Sequence, residues 1–187
     1  QMRKGLEQLI KLNKIELVVG KATFVDKNTV HLVTDNPDDE RDIVAKKIII
    51  ATGSEPSRPP IPGAELLGVI TSDEVLKLDE IPGSMIIIGA GAVGVEFAGI
   101  YAGFGCMTTV VEMAPTILPP CDVDMQKRMG LVLRKQHIAI KTGATVKSIT
   151  RGVEGLAVTI ESKGKEEVLE AEKVLLAAGR RPIFVAE

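Results

Sequence analysis

Three glycines and one carboxylate mark the part of this chain best suited to hold a ligand. Gly89, Gly91 and Gly94 stand at G-x-G-x-x-G spacing, and Glu112 follows at the interval, about 20 residues, that such a turn calls for. The spacing suits a sharp connection between a strand and a helix. Gly89 permits the turn, Gly91 removes the Cβ that would hold a polyanion away, and Gly94 lets the helix pack closely. The helix opening at Ala92 and Val93 then aims unpaired N–H groups and the positive end of the dipole at a diphosphate. Glu112 is placed to accept hydrogen bonds from ribose hydroxyls and to repel a 2′-phosphate, and Met113-Ala-Pro115 supply no arginine to bind one. The expected ligand is therefore NAD(H) rather than NADP(H).

Such a site needs a strand, a turn, a helix and a second strand, in that order. The stretch MIIIGAGAVGVEFAGIYAGFG, Met85 to Gly105, supplies the first three. It is long enough to cross a bilayer by residue count, but Glu96 would sit mid-span and glycines interrupt the run, so no membrane span is expected. MIIIG reads as a buried parallel strand, and AVGVEFAGIYAGFG as a buried helix ended by Gly103 or Gly105. MTTVVE is the second strand, with Glu112 at its end. Glu96 falls in the first turns of the helix. There a carboxylate either simply favours the dipole or faces the nicotinamide end of the ligand or a partner cation.

Around this unit the pattern predicts a helix over roughly 2–13, strands near 15–20, 22–26 and 29–33, and a strand KKIIIATG. The Pro-rich SEPSRPPIPG is an extended connector, and TSDEVLKLDEIPG a short helix capped by Ser72 or Asp73. DVDMQKRMGLVLRKQH is a helix with Asp122 at its N-cap, and the remainder is mostly β: IAI, TVKSIT, LAVTIES and EEVLEAEKVLLAAG. The segment from Lys47 to Pro56 (KIIIATGSEP) is echoed by that from Lys173 to Pro182 (KVLLAAGRRP), two apolar strands each ending in a glycine that brings backbone close to a ligand.

The chain is 45% apolar and 26% charged, ordinary for a globular protein, and its net charge of −2 gives no electrostatic pull toward nucleic acid or an anionic membrane. Two cysteines, Cys106 and Cys121, make no disulfide framework and fit a reducing, cytoplasmic compartment. No cluster has metal-ligand spacing, and His31 and His137 read as structural or exposed. The residues bind a hydride carrier yet show no acid, base or redox pair to act on it. The partner in hydride transfer must come from elsewhere, most economically a flavin.

The ordered set IIIATGSEP, TSDEVLKLDEIP, IIIGAGAVGVEFA, VVE, ILPPCDVDM and LLAAGRRP resembles the flavoprotein disulfide reductases (pyridine nucleotide-disulfide oxidoreductases), most closely their dihydrolipoamide dehydrogenase branch. Mercuric reductases and NADH oxidases are near alternatives, and a free-standing NAD-binding or redox-sensing module is an alternative of another kind. The resemblance implies an α/β architecture: residues 1–66 as part of an FAD-binding domain with its connector, and 67–187 as a Rossmann-like NAD-binding domain with a parallel sheet and a β-meander. It implies NAD contacts at Gly89, Gly91, Ala92, Val93, Gly94, Glu112 and Gly179. It also implies an apolar adenine contact at Val146, Glu96 near the nicotinamide and flavin, and Thr52 and Gly53 against FAD. Ala178 stands where the family commonly has threonine. The family's FAD-binding glycine turn, Cys-x4-Cys disulfide and His–Glu base are not in this sequence, so the chain is expected to be a catalytically incomplete fragment. In the parent protein the resemblance implies a homodimer, with a place in a 2-oxoacid dehydrogenase complex. For a fragment it implies an exposed apolar face.

Overall fold

A computed structural model describes residues 2–153 and 155–184. They fall into two compact units: a larger one, Ser54–Arg181, and a smaller one drawn from residues up to Gly53 together with the segment from Pro182 on.

The smaller unit holds helix α1 (Met2–Leu12) and an antiparallel meander of β1 (Lys21–Phe24), β2 (Thr29–Val33) and β3 (Arg41–Val44). The DKNT turn forms because Asp26 accepts the Asn28 N–H at 2.7 Å and the Thr29 hydroxyl at 2.9 Å. Two expected strands are absent. Residues 15–20 run irregularly into β1, and 47–52 join no ladder. Ile49 and Ile50 carry the β-branched signal of a strand and are exposed. A strand exists only where neighbouring backbone takes its N–H and C=O groups, and among the described residues none does so here. Leu6, Leu9 and Leu12 on α1 are exposed as well.

In the larger unit, five parallel strands form one sheet in the order β5 (Val69–Thr71), β12 (Lys173–Leu176), β6 (Ser84–Ile88), β7 (Met107–Glu112), β8 (Ala139–Thr142). Helices α2 (Ser72–Val75), α3 (Ala92–Gly103) and α4 (Val123–Lys135) pack on one face. A second antiparallel meander, β9 (Ala144–Arg151), β10 (Leu156–Ser162) and β11 (Lys165–Ala171), covers the other and carries the chain from β8 to β12. The expected parallel sheet and meander are both present. Strand β6 shows why its sequence is apolar throughout: Met85 and Ile87 enter the helix-side core, while Ile86 and Ile88 enter the meander-side core. The Pro-rich connector packs with this unit, Ala64 being buried against the meander and Pro62 C=O accepting the Ile149 N–H at 2.8 Å. Strand β4 (Ser54–Pro56) pairs with β13 (Arg180–Pro182), so the tails of the two near-repeats lie side by side.

The cap of α2 is Thr71, not Ser72 or Asp73. Glu74 sits three residues after Thr71 and accepts its N–H at 2.7 Å, the reciprocal arrangement of a capping box. The helix ends at Val75 after one turn. Asp122 does cap α4, accepting the Asp124 N–H at 2.9 Å. Tyr101 on α3 is buried and donates its hydroxyl to Val75 C=O at 2.8 Å, tying α3 to α2. No helix among the described residues is long and apolar enough to cross a membrane.

Two expectations follow from these contacts. Tyr101→Phe leaves a buried carbonyl without its donor and should lower stability by about 1–2 kcal/mol, read from denaturant unfolding; an unchanged midpoint would contradict it. In the smaller unit, Asp42 and Glu40 flank the two nitrogens of His31, at 2.7 and 3.0 Å. They hold its pKa above the ordinary 6.5, Asp42 contributing most. The cation is favoured in the folded state, so this contribution to stability is complete below the unfolded pKa and fades as pH rises through the raised folded value. An NMR titration should place the His31 midpoint above 6.5, and Asp42→Asn should bring it down.

Candidate functional site

The sheet order reverses direction beside β6. From there the chain steps one way to β7 and β8, and later returns to lay β12 on the other side. Loops leaving the carboxyl ends of two such adjacent strands diverge to opposite faces and leave a crevice between them. The glycine turn leaves β6 at that point, and Ala177, Ala178 and Gly179 leave β12.

Each glycine has a distinct physical reason. Gly89 has φ +109°, and a Cβ there would stand 2.5 Å from Ala177 C=O. The β12 backbone thus comes too close for any side chain. A Cβ on Gly94 would meet Gly89 C=O at 2.0 Å, so the first turn of α3 sits directly on the loop. Gly91 is different: its φ is −70° and a Cβ would meet nothing within 4 Å. Neither backbone conformation nor crowding within this chain calls for glycine there. The space over Gly91 fits a ligand that lies against the backbone. The α3 ladder begins with Val95 N–H to Gly91 C=O at 3.0 Å, so the amides of the first helical turn before it have no intrahelical acceptor.

The turn is held from β7 and the segment beyond it. Glu112 Oε2 accepts the Ala90 N–H at 2.7 Å, and its Oε1 accepts the Ala114 N–H at 2.8 Å. Ala90 C=O in turn accepts the Leu118 N–H at 2.7 Å. Both polar groups of Ala90 are therefore fixed. Each carboxylate oxygen of Glu112 keeps a second acceptor position for a ligand hydroxyl.

These residues border a cleft of about 500 Å³, within the range of about 300–1,000 Å³ usual for small-molecule sites. Of the residues singled out from sequence, Gly89, Gly91, Glu112, Val146 and Gly179 line it. Ala92 and Val93, again with Gly91 and Gly179, line a smaller hollow of about 140 Å³. Gly94 is buried beneath the turn. Glu96 is exposed on α3 and lines neither hollow. Thr52 and Gly53 belong to the smaller unit, where the Thr52 hydroxyl donates to Ile183 C=O and Gly53 C=O accepts the Ile183 N–H.

Val146 reaches the cleft through a bulge. The β9–β10 register shifts between Thr159 and Ile160, so Ile160 faces Val146 while Thr159 faces Ser148. The extra residue puts Ala144, Val146 and Ile149 on one face despite their uneven spacing. Sequence reasoning missed the opposite walls, Ile61 of the connector and Pro119 and Pro120 beyond β7. The paired prolines were the one available signal. Among the described residues lining the cleft, Glu112 is the only charged side chain. Cys106 is buried, and that burial pushes its thiol pKa up, in keeping with a core role; Cys121 is exposed.

Residues 1–184 match the family described as pyridine nucleotide-disulphide oxidoreductase. A dihydrolipoyl dehydrogenase of Geobacillus stearothermophilus is 37% identical over 179 residues, covering 95% of this chain and 37% of the relative. A dihydrolipoamide dehydrogenase of Chaetomium thermophilum is 38% identical over 186 residues, 97% of this chain and 36% of the relative. Among solved structures, the HOCl-induced flavoprotein disulfide reductase RclA from Escherichia coli superposes with a TM-score of 0.76 at 30% identity, over 97% of this chain and 40% of that one. The chain thus spans well under half the length of these proteins.

The contrast between two of the glycines is testable without any ligand. Gly89→Ala combines positive φ with a backbone clash and should cost about 3 kcal/mol or more. Gly91→Ala should change stability by less than about 1 kcal/mol. Equal losses in thermal unfolding would contradict the assignment.

Proposed function

The chain belongs to the pyridine nucleotide-disulphide oxidoreductase family, and on that premise we propose that its larger unit is the NAD(H)-binding part of an FAD-dependent dihydrolipoamide dehydrogenase. The domain bounds expected from the sequence, 67–187 for NAD binding and 1–66 for the FAD-binding segment with its connector, differ from the compact units, which divide after Gly53 and after Arg181; the connector over 54–66 therefore goes with the proposed NAD-binding part and the segment from Pro182 on with the smaller unit. The observation that carries the proposal is Gly91, a glycine that nothing in the chain's own packing requires, placed where the helix opening meets the cleft.

The residues divide the work by chemistry. The amides at Ala92 and Val93 and the dipole of α3 receive the pyrophosphate over Gly91. Glu112 accepts the adenosine ribose hydroxyls while holding the turn through Ala90. Val146 and the proline walls give the adenine an apolar slot. Gly179 lets the end of β12 approach the nicotinamide half. Glu96, exposed on α3, is assigned to the nicotinamide and flavin side, and Thr52 and Gly53 to FAD. When bound, NAD+ supplies a hydride acceptor, and FAD supplies the carrier that takes electrons from the dihydrolipoamide dithiol by way of a disulfide. This chain's own part is to bind and orient the dinucleotide, a proximity effect.

Selection of NAD(H) over NADP(H) rests on charge. A 2′-phosphate would meet the carboxylate of Glu112 with no cationic side chain among the described lining residues to offset it. Calorimetry should show NAD+ binding more tightly than NADP+. Gly91→Val should weaken NAD+ by about tenfold or more, the equivalent of about 1.4 kcal/mol. Glu112→Ala should weaken NAD+ and narrow its margin over NADP+. Equal affinities for the two dinucleotides in the unaltered chain would overturn the assignment.

A further inference from the structure

We propose a second small-molecule site, in the groove between α4 and the segment leading into it, that takes a linear aliphatic dicarboxylate of about eight to ten carbons. The groove encloses about 490 Å³ and shares none of its lining residues with the cleft at the glycine turn. Its apolar surface comes from Ile117 on the segment after β7, Ile140 on the edge strand β8, and Val123 and Leu131 on α4. Val123 and Leu131 are 57% and 58% exposed, apolar surface that a ligand in the groove would cover.

The charges in this groove are of one sign. Lys127 and Arg134 both line it, and no carboxylate does. Neither cation has an ion-pair or hydrogen-bond partner among the described residues. They are seven positions apart, two helical turns, and so share the face of α4 that borders the groove, with about 10 Å of helix between them. With Val123 one turn beyond Lys127, the two cations therefore bracket Gly130 and Leu131 along α4. An extended chain of eight to ten carbons with a carboxylate at each end spans about that distance, with methylenes over the apolar floor. The hydroxyls of Thr116 and Thr142 supply further donors, while the Gln126 amide is engaged by the Leu118 and Cys121 carbonyls and holds the segment leading into α4.

Gly130 is the second, independent observation. It lies midway along α4, where glycine disfavours the helix relative to alanine. A Cβ there would meet nothing nearer than Ile117 Cδ1 at 3.9 Å, an ordinary contact, and the backbone is helical. As with Gly91, the chain's own packing does not require the missing side chain. Gly130 is buried where it lines the groove, and the missing side chain lets the groove floor come down close to the α4 backbone.

The test is a titration of the chain with sebacate, decanoate, succinate and decyltrimethylammonium, followed by amide shifts in 116–117, 126–134 and 140–142. Sebacate should bind saturably at these positions. Decanoate should bind about fivefold more weakly, the worth of one partly exposed ion pair, and succinate and the cationic amphiphile should not compete. Lys127→Met with Arg134→Met, both at exposed positions where the fold does not depend on charge, should abolish the preference for sebacate over decanoate. Gly130→Leu should fill the groove and remove sebacate binding while leaving NADH binding unchanged. No saturable sebacate binding, shifts confined to other residues, equal binding of decanoate or succinate, or unaltered sebacate binding in the double variant would each overturn the proposal.

Discussion

The peptide group of Ala90 is the fixed point of the site. Its N–H is held by the Glu112 carboxylate and its C=O by the Leu118 N–H, both at 2.7 Å. A glycine turn is by nature the most permissive part of a chain, and a permissive loop makes a poor anion cradle because ordering it would cost entropy at each binding event. Here the ordering is built into the fold. The strand next door ends in an acid that reaches back, and the segment after it closes over the turn from the other side. Glu112 thus serves the proposed site twice, as a ligand for ribose hydroxyls and as the brace that keeps the opening of α3 aimed at the cleft.

That brace depends on the sheet beneath it. Gly89 can be approached to 2.5 Å by the Ala177 carbonyl, measured from where a Cβ would stand, only because β12 lies directly beside β6 in parallel register. The second meander makes this possible. It carries the chain from β8 across the sheet to the far side of β6, and it seals the face opposite the helices with Ile149, Leu156, Val158 and Ile160. The same meander lends Val146 to the cleft through its bulge. One connection therefore closes a core, sets the strand order and furnishes a wall.

Much of this was legible in the sequence because each signal was local. The glycine spacing, the apolar run Met85–Ile88 and the acid ending β7 are all set by short-range geometry, and the structure has the strand, turn, helix and strand in that order. What was not legible depends on partners distant in the chain. The β-branched Ile49 and Ile50 signal a strand, but no sequence feature says whether a neighbour exists to pair with them. Thr71 and Ser72 are both competent caps, and the choice is made by Glu74 reaching back and by where β5 ends. Pro119 and Pro120 line the cleft only because Leu118 is tied to Ala90, a contact across the fold. The bond from Glu112 to Ala90 is of the same kind: the acid was found by its interval, its second role only by its geometry.

In the proposed binding mode the amides opening α3 over Gly91 hold a diphosphate while Glu112 holds the sugar beside it. A crystal structure of the chain with NADH tests it most directly. The pyrophosphate should lie within hydrogen-bonding distance of the Ala92 and Val93 amides, the adenosine ribose on Glu112, and the adenine against Val146. Dinucleotide bound elsewhere with the turn empty, or a pyrophosphate held by side chains away from the helix opening, would contradict it.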